Sequence, residues 1–174
     1  VVLISTPLGA RASLKRASNN VEESFYNGVY IEDGDYTSGS IASYLSDASR
    51  AALGLITIGT NHAELTDVTD RMRTAREDLL GANSIGDKYA AYHTLSSAFD
   101  SFMSIVSDLS LTDSEGESVE IYSELFIQSR EAIGRNPYNS SVQNFITEVF
   151  QRFPADIIAS IFSIDAPESF GGNT

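Results

Sequence analysis

Apolar residues return at every third or fourth position along most of this 174-residue chain, and that period specifies helices. The clearest stretch is Tyr92, Leu95, Phe99, Phe102, Val106 and Leu109, whose steps alternate between three and four as in a heptad. Leu65, Val68, Met72, Ala75 and Leu79 repeat the pattern upstream. Ile41, Tyr44, Leu45, Ala48, Ala52 and Leu55 mark another apolar face, within a run rich in Ala, Ser and Gly that lets a neighbouring backbone come close. Leu14, Ala17, Val21, Phe25 and Gly28 mark an earlier helix, and Val119, Tyr122, Phe126, Ser129 and Ile133 a later one.

Local signals set the expected boundaries. The first helix spans about 13–30 and is followed by a turn at Asp33-Gly34-Asp35. Asn61 with Glu64 has the form of a capping box, Gly81-Ala82-Asn83 a helix stop, and Ser84 with Asp87 a second cap. Residues 112–117 read as an acidic loop. Asn136-Pro137 predicts a kink or short break, because proline lacks the amide donor and clashes with the preceding turn. A last helix then runs from Tyr138 to about residue 152, and Pro154 ends it. Ile157, Ile158, Ile161 and Phe162 follow as a short apolar cap.

These patterns predict an all-α fold: an elongated antiparallel up-and-down helical bundle with four main helices, the last kinked near Pro137. Residues 1–12 read as an extended arm or the remnant of a leader or anchor, 13–170 as a single helical-bundle domain, and 171–174 as a disordered tail.

Composition narrows the function classes. The hydrophobic share of 42% suits a chain with a packed core. The net charge of -13 argues against nucleic acid, whose phosphates require clustered Lys and Arg. The absence of cysteine excludes disulfides, thiolate metal sites and cysteine nucleophiles. No window approaches the roughly 20 apolar residues of a membrane-spanning helix.

The end of the chain carries a further pattern. Tyr138-Asn139, Val142, Phe153-Pro154, Ala159, Phe162 and Phe170 resemble the C-terminal signature of the LemA family of bacterial envelope proteins. Asn20, Val21, Glu22 and Phe25 are similar to that family's first-helix pattern of Asn, Val, acidic residues and a large aromatic. The chain departs from the family in its middle, which lacks the Arg-Arg-x-Asp-Leu-Ile-Pro segment. Phe145-Ile146 also stands where the family repeats Tyr-Asn. The resemblance is that of a divergent member. It implies a helical bundle outside the cytoplasmic membrane, tethered by an N-terminal anchor, with no catalytic residues and no cofactor.

Residue types that carry chemistry are sparse. His62 and Glu64 lie two apart, and His93 lies on another helix, which is not metal-ligand spacing. Glu22 with Glu23, and Glu117 with Glu120, are carboxylate pairs by abundance rather than by placement. There is no Gly-x-Ser-x-Gly elbow and no phosphate loop. Asn139-Ser140-Ser141 matches a glycosylation acceptor and reads as a capping or surface patch. Phe145, Phe150 and Phe153 point to several sides of the last helix and need cover, either from residues 155–170 or from a partner.

The function expected is a non-enzymatic scaffold or adaptor in the cell envelope. Its partner is an unknown protein, with no nucleic acid, and it meets the membrane only through an anchor. The alternatives are a bundle that binds a small molecule or metal near Tyr89, Tyr92 and Tyr122, and a hydrolase of envelope polymers.

Overall fold

The computed structural model describes residues 7–30, 37–150 and 165–171. These form six α-helices in order: α1 (Pro7–Asn27), α2 (Ile41–Gly59), α3 (Thr66–Gly81), α4 (Ile85–Val106), α5 (Asp113–Arg135) and α6 (Tyr138–Phe145). A short 3-10 turn (Ala63–Leu65) precedes α3, and a π-helical turn (Ile146–Phe150) extends α6. The only sheet among the described residues is a two-residue antiparallel ladder. Its strands are β1 (Val29–Tyr30) and β2 (Thr37–Ser38), with Val29 opposite Ser38. The helical class expected from the periodicity is therefore observed. Five of the helices run to 16 residues or more, one more than the four main helices anticipated.

Several boundaries differ from the sequence reading, each for a local reason. α1 starts at Pro7, so residues 7–12 of the expected arm are helical. Proline suits the first helical position, where its missing N–H would have no intrahelical partner. The same helix stops at Asn27 because Gly28 takes a φ of 85°, a left-handed conformation that glycine adopts readily. α5 begins at Asp113 rather than near Val119, inside the stretch read as an acidic loop. The Thr112 hydroxyl accepts from the Glu115 N–H at 3.3 Å, and the Glu115 carboxylate accepts from the Thr112 N–H at 3.0 Å. That reciprocal pair is a capping box.

At Pro137 the helix breaks and restarts rather than kinking. The Asn136 side chain bridges the gap, accepting from the Tyr138 N–H at 3.0 Å and donating to the Gly39 carbonyl at 2.8 Å. The cap expected at Asn61 is not formed: His62 holds the cap position of the 3-10 turn and makes no side-chain cap bond. Ser84 caps α4 as expected, accepting from the Asp87 N–H at 2.9 Å. The turn expected at Asp33, residues 1–6 of the arm, the apolar cap at Ile157, Ile158 and Ile161, and the tail beyond Gly171 lie outside the described residues.

Contacts divide the chain into two compact units. One is continuous, residues 42–135; the other joins residues 1–41 to 136–174. In the continuous unit most residues of the anticipated stripes are buried, while Tyr44, Leu109, Tyr122 and Ile133 are half-buried. Leu65, Val68, Met72, Ala75 and Leu79 are inside, as are Tyr92, Leu95, Phe99, Phe102 and Val106. Phe99 and Phe126 stack at 4.1 Å between ring centroids, Tyr92 lies 6.5 Å from Phe126, and the Arg130 guanidinium sits 5.6 Å above Phe99. Each large side chain so buried contributes about 1.5–3 kcal/mol. α3 packs along α4, the Arg76 side chain donates to the Ser49 carbonyl of α2 at 3.0 Å, and Tyr122 of α5 lies flat over Gly54 of α2. No helix among the described residues is long and apolar enough to cross a membrane.

Candidate functional site

The discontinuous unit brings together six of the twelve family-like residues singled out near the two ends of the chain. α1 packs against α6. Phe25 is fully buried on α1, and Tyr138 and Val142 are fully buried on α6. The Phe25 ring meets Tyr138 edge-on at 5.5 Å and Phe170 at 5.7 Å. Phe170 arrives from the irregular segment 165–171, which ends in a turn, and is itself buried. Of the first-helix pattern, Val21 and Glu22 are half-buried and Asn20 is exposed. Phe153, Pro154, Ala159 and Phe162 lie outside the described residues.

Polar groups of the same helices hold the segment by its main chain. The Asn139 amide donates to the Phe170 carbonyl at 2.6 Å, and its oxygen accepts from the Phe170 N–H at 2.8 Å. Tyr138 donates its hydroxyl to the Glu168 carbonyl. Glu22 accepts from the Glu168 N–H at 3.2 Å. Ser18 lies at the far end, its hydroxyl 3.5 Å from the Asp165 carbonyl. Burial pushes the Tyr138 phenol well above its ordinary value, and the Glu22 and Glu168 carboxylates add to the shift. The hydroxyl thus remains a donor across the physiological range. The Asn139 of the glycosylation-like triplet is committed to this clamp, and Ser141 bonds back to the Pro137 carbonyl at 3.2 Å.

The other candidates lie apart. His62 pairs with Glu115, 3.2 Å away and 53 positions along the chain, a contact that no spacing foreshadowed. Hydrogen bonds from the Thr112 backbone and hydroxyl, with His62 adding a smaller effect, hold the Glu115 carboxyl below its ordinary value. Glu64 is exposed, and His93 is exposed beside Tyr89 with the rings 6.2 Å apart. Among the described residues no group of three or more His, Asp or Glu is arranged to hold a metal ion.

Glu23, Glu117 and Glu120 are exposed, and no Asp or Glu among the described residues is buried. Tyr92 and Tyr122 are engaged in packing against Phe126 and Gly54. An open depression of about 520 Å³ lies where α3 gives way to α4, lined by Glu77, Asp78, Asn83, Asp87, Ala91 and Thr94 among others. Phe145 is buried, whereas Val149 one turn on is exposed.

The clamped segment contains an anchor the sequence reading passed over. Pro167 is buried three positions before Phe170, while Glu168 between them is exposed. The Pro-x-x-Phe spacing was the available signal. No family model matches the chain, and neither a curated protein nor a solved structure matches it.

Proposed function

We propose that this chain is a non-enzymatic helical module of the bacterial cell envelope, LemA-like and divergent, that serves as a scaffold or adaptor for protein partners. One observation carries the reading. Glu22, Phe25, Tyr138, Asn139, Val142 and Phe170, which make up much of the family-like pattern, converge from both ends of the chain on one cluster. There they hold backbone and fill a core, which is what a structural signature does. No described Asp or Glu is fully buried, which supports the same view, since a catalytic carboxyl needs desolvation to raise its pKa. Within residues 42–135 we read α2 to α5 as an antiparallel up-and-down bundle, a topology favoured by the short links between them. Spin-label distances between helix ends test that arrangement.

The functional test is fractionation of cells expressing the full-length gene, followed by cross-linking and mild detergent extraction. The expected result is recovery with the envelope and a discrete protein partner. Recovery in the cytosol with no cross-linked protein would overturn the proposal.

A further inference from the structure

The cleft between α1 and α6 treats the segment 165–171 as a receptor treats a peptide. Four main-chain groups of this segment, the N–H and C=O of Glu168 and of Phe170, are each met by a side chain of Glu22, Tyr138 or Asn139. Those four contacts read backbone, and the side chain at position 168 is exposed. Selectivity resides in two buried anchors, Pro167 and Phe170, three positions apart. Main-chain hydrogen bonds that hold an extended strand, with pockets for selected side chains, are a recurring mode of peptide recognition.

We propose that the α1–α6 cleft is a binding site for Pro-x-x-aromatic segments of a partner protein, occupied in cis by the chain's own residues 165–171. The seated segment shows what fits: a non-helical backbone, a buried proline, an exposed residue after it and a buried aromatic ring. A tethered segment competes at an effective concentration of the order of millimolar. A partner therefore enters only when it is abundant locally or when the cis segment is weakened. The inference supplies a partner class for the scaffold reading. It stands on the cleft alone, so failure of the envelope location would leave it intact.

The probe is a fluorescent, end-blocked peptide with the sequence of residues 165–171, titrated by anisotropy into the whole chain carrying Phe170→Ala. Binding is expected, weakened at least about tenfold when the peptide itself carries Phe170→Ala, and at least about tenfold weaker to the unmodified chain, whose own tail competes. A Phe170→Ala chain with full helical circular dichroism that binds neither peptide at about 1 mM, or both alike, overturns the proposal. Should that variant not fold, the unmodified chain is titrated with excess unlabelled peptide while the Gly171 amide is followed by NMR. Displacement by the Phe peptide but not by its Ala version supports the site, and an unmoved resonance overturns it. Dimerisation abolished by Phe170→Ala, without peptide capture, would assign the cleft to a second copy and equally overturn it.

Discussion

Phe126 is fully buried, with Phe99 stacked on one side at 4.1 Å and Tyr92 beyond. Phe126→Ala removes a ring that its neighbours cannot replace, and the expected loss is about 3–5 kcal/mol by urea unfolding. Ile121, two-thirds exposed on the same helix, should tolerate Ser within about 0.5 kcal/mol. Comparable losses at both positions would contradict the assigned face of α5.

Two titrating groups give predictions of opposite sign. Glu115 is held below the ordinary carboxylate value of about 4.3, so the unfolded chain binds its proton first as pH falls. Its contribution is complete above that value and disappears as pH drops through the lowered folded value. Glu115→Gln should therefore flatten the acid limb of stability below pH about 4.3; parallel limbs would refute this. Tyr138 is raised, so its contribution is complete below pH about 10 and is lost as pH climbs through the folded value. Tyr138→Phe should lose about 1 kcal/mol at neutral pH, from the bond to Glu168. It should then decline less steeply in alkali, and an alkaline limb as steep as that of the unmodified chain would count against the burial of this phenol.

Between elements, a close approach brings Tyr122 of α5 against Gly54 of α2. A Cβ at Gly54 would stand 2.5 Å from the Tyr122 ring, nearer than real contacts allow. Gly54→Ala should destabilise by about 1–3 kcal/mol through overpacking. In a Tyr122→Ala background the space opens, and the same change should instead stabilise by up to about 1 kcal/mol, the helical preference for alanine over glycine. A double-mutant cycle with no coupling would place these helices apart. At this scale the sequence was most readable where two signals agreed. α4 has both an apolar stripe and a working cap at Ser84. The start of α5 was hidden because Gly116 and its acidic neighbours suggest a loop, while the Thr112–Glu115 box that begins the helix was overlooked. The box at Asn61 misled in the other direction, since the chain there makes a 3-10 turn with His62 at the cap position and no side-chain cap bond. The clamp on Phe170 leaves almost no trace in sequence. Its bonds go to main chain, and main chain is the same at every residue.

For the molecule as a whole, the division into a continuous and a discontinuous unit decides what can stand alone. A fragment covering residues 40–135 contains α2 to α5 and the stacked ring cluster, and it should melt cooperatively with helical circular dichroism. A broad, non-cooperative melt would show that the ends are needed for the middle. The division itself was illegible in the periodic pattern, because stripes report which face is buried and not against what. Phe25 and Phe170 are 145 positions apart, and only the folded chain reveals them as neighbours. That separation has a consequence during synthesis. Ribosomes add about 5–20 residues per second, so α1 emerges on the order of ten seconds before the residues that complete its packing. The middle of the chain can therefore fold during that interval, while α1, with Phe25 uncovered, is the part a nascent-chain chaperone has reason to hold.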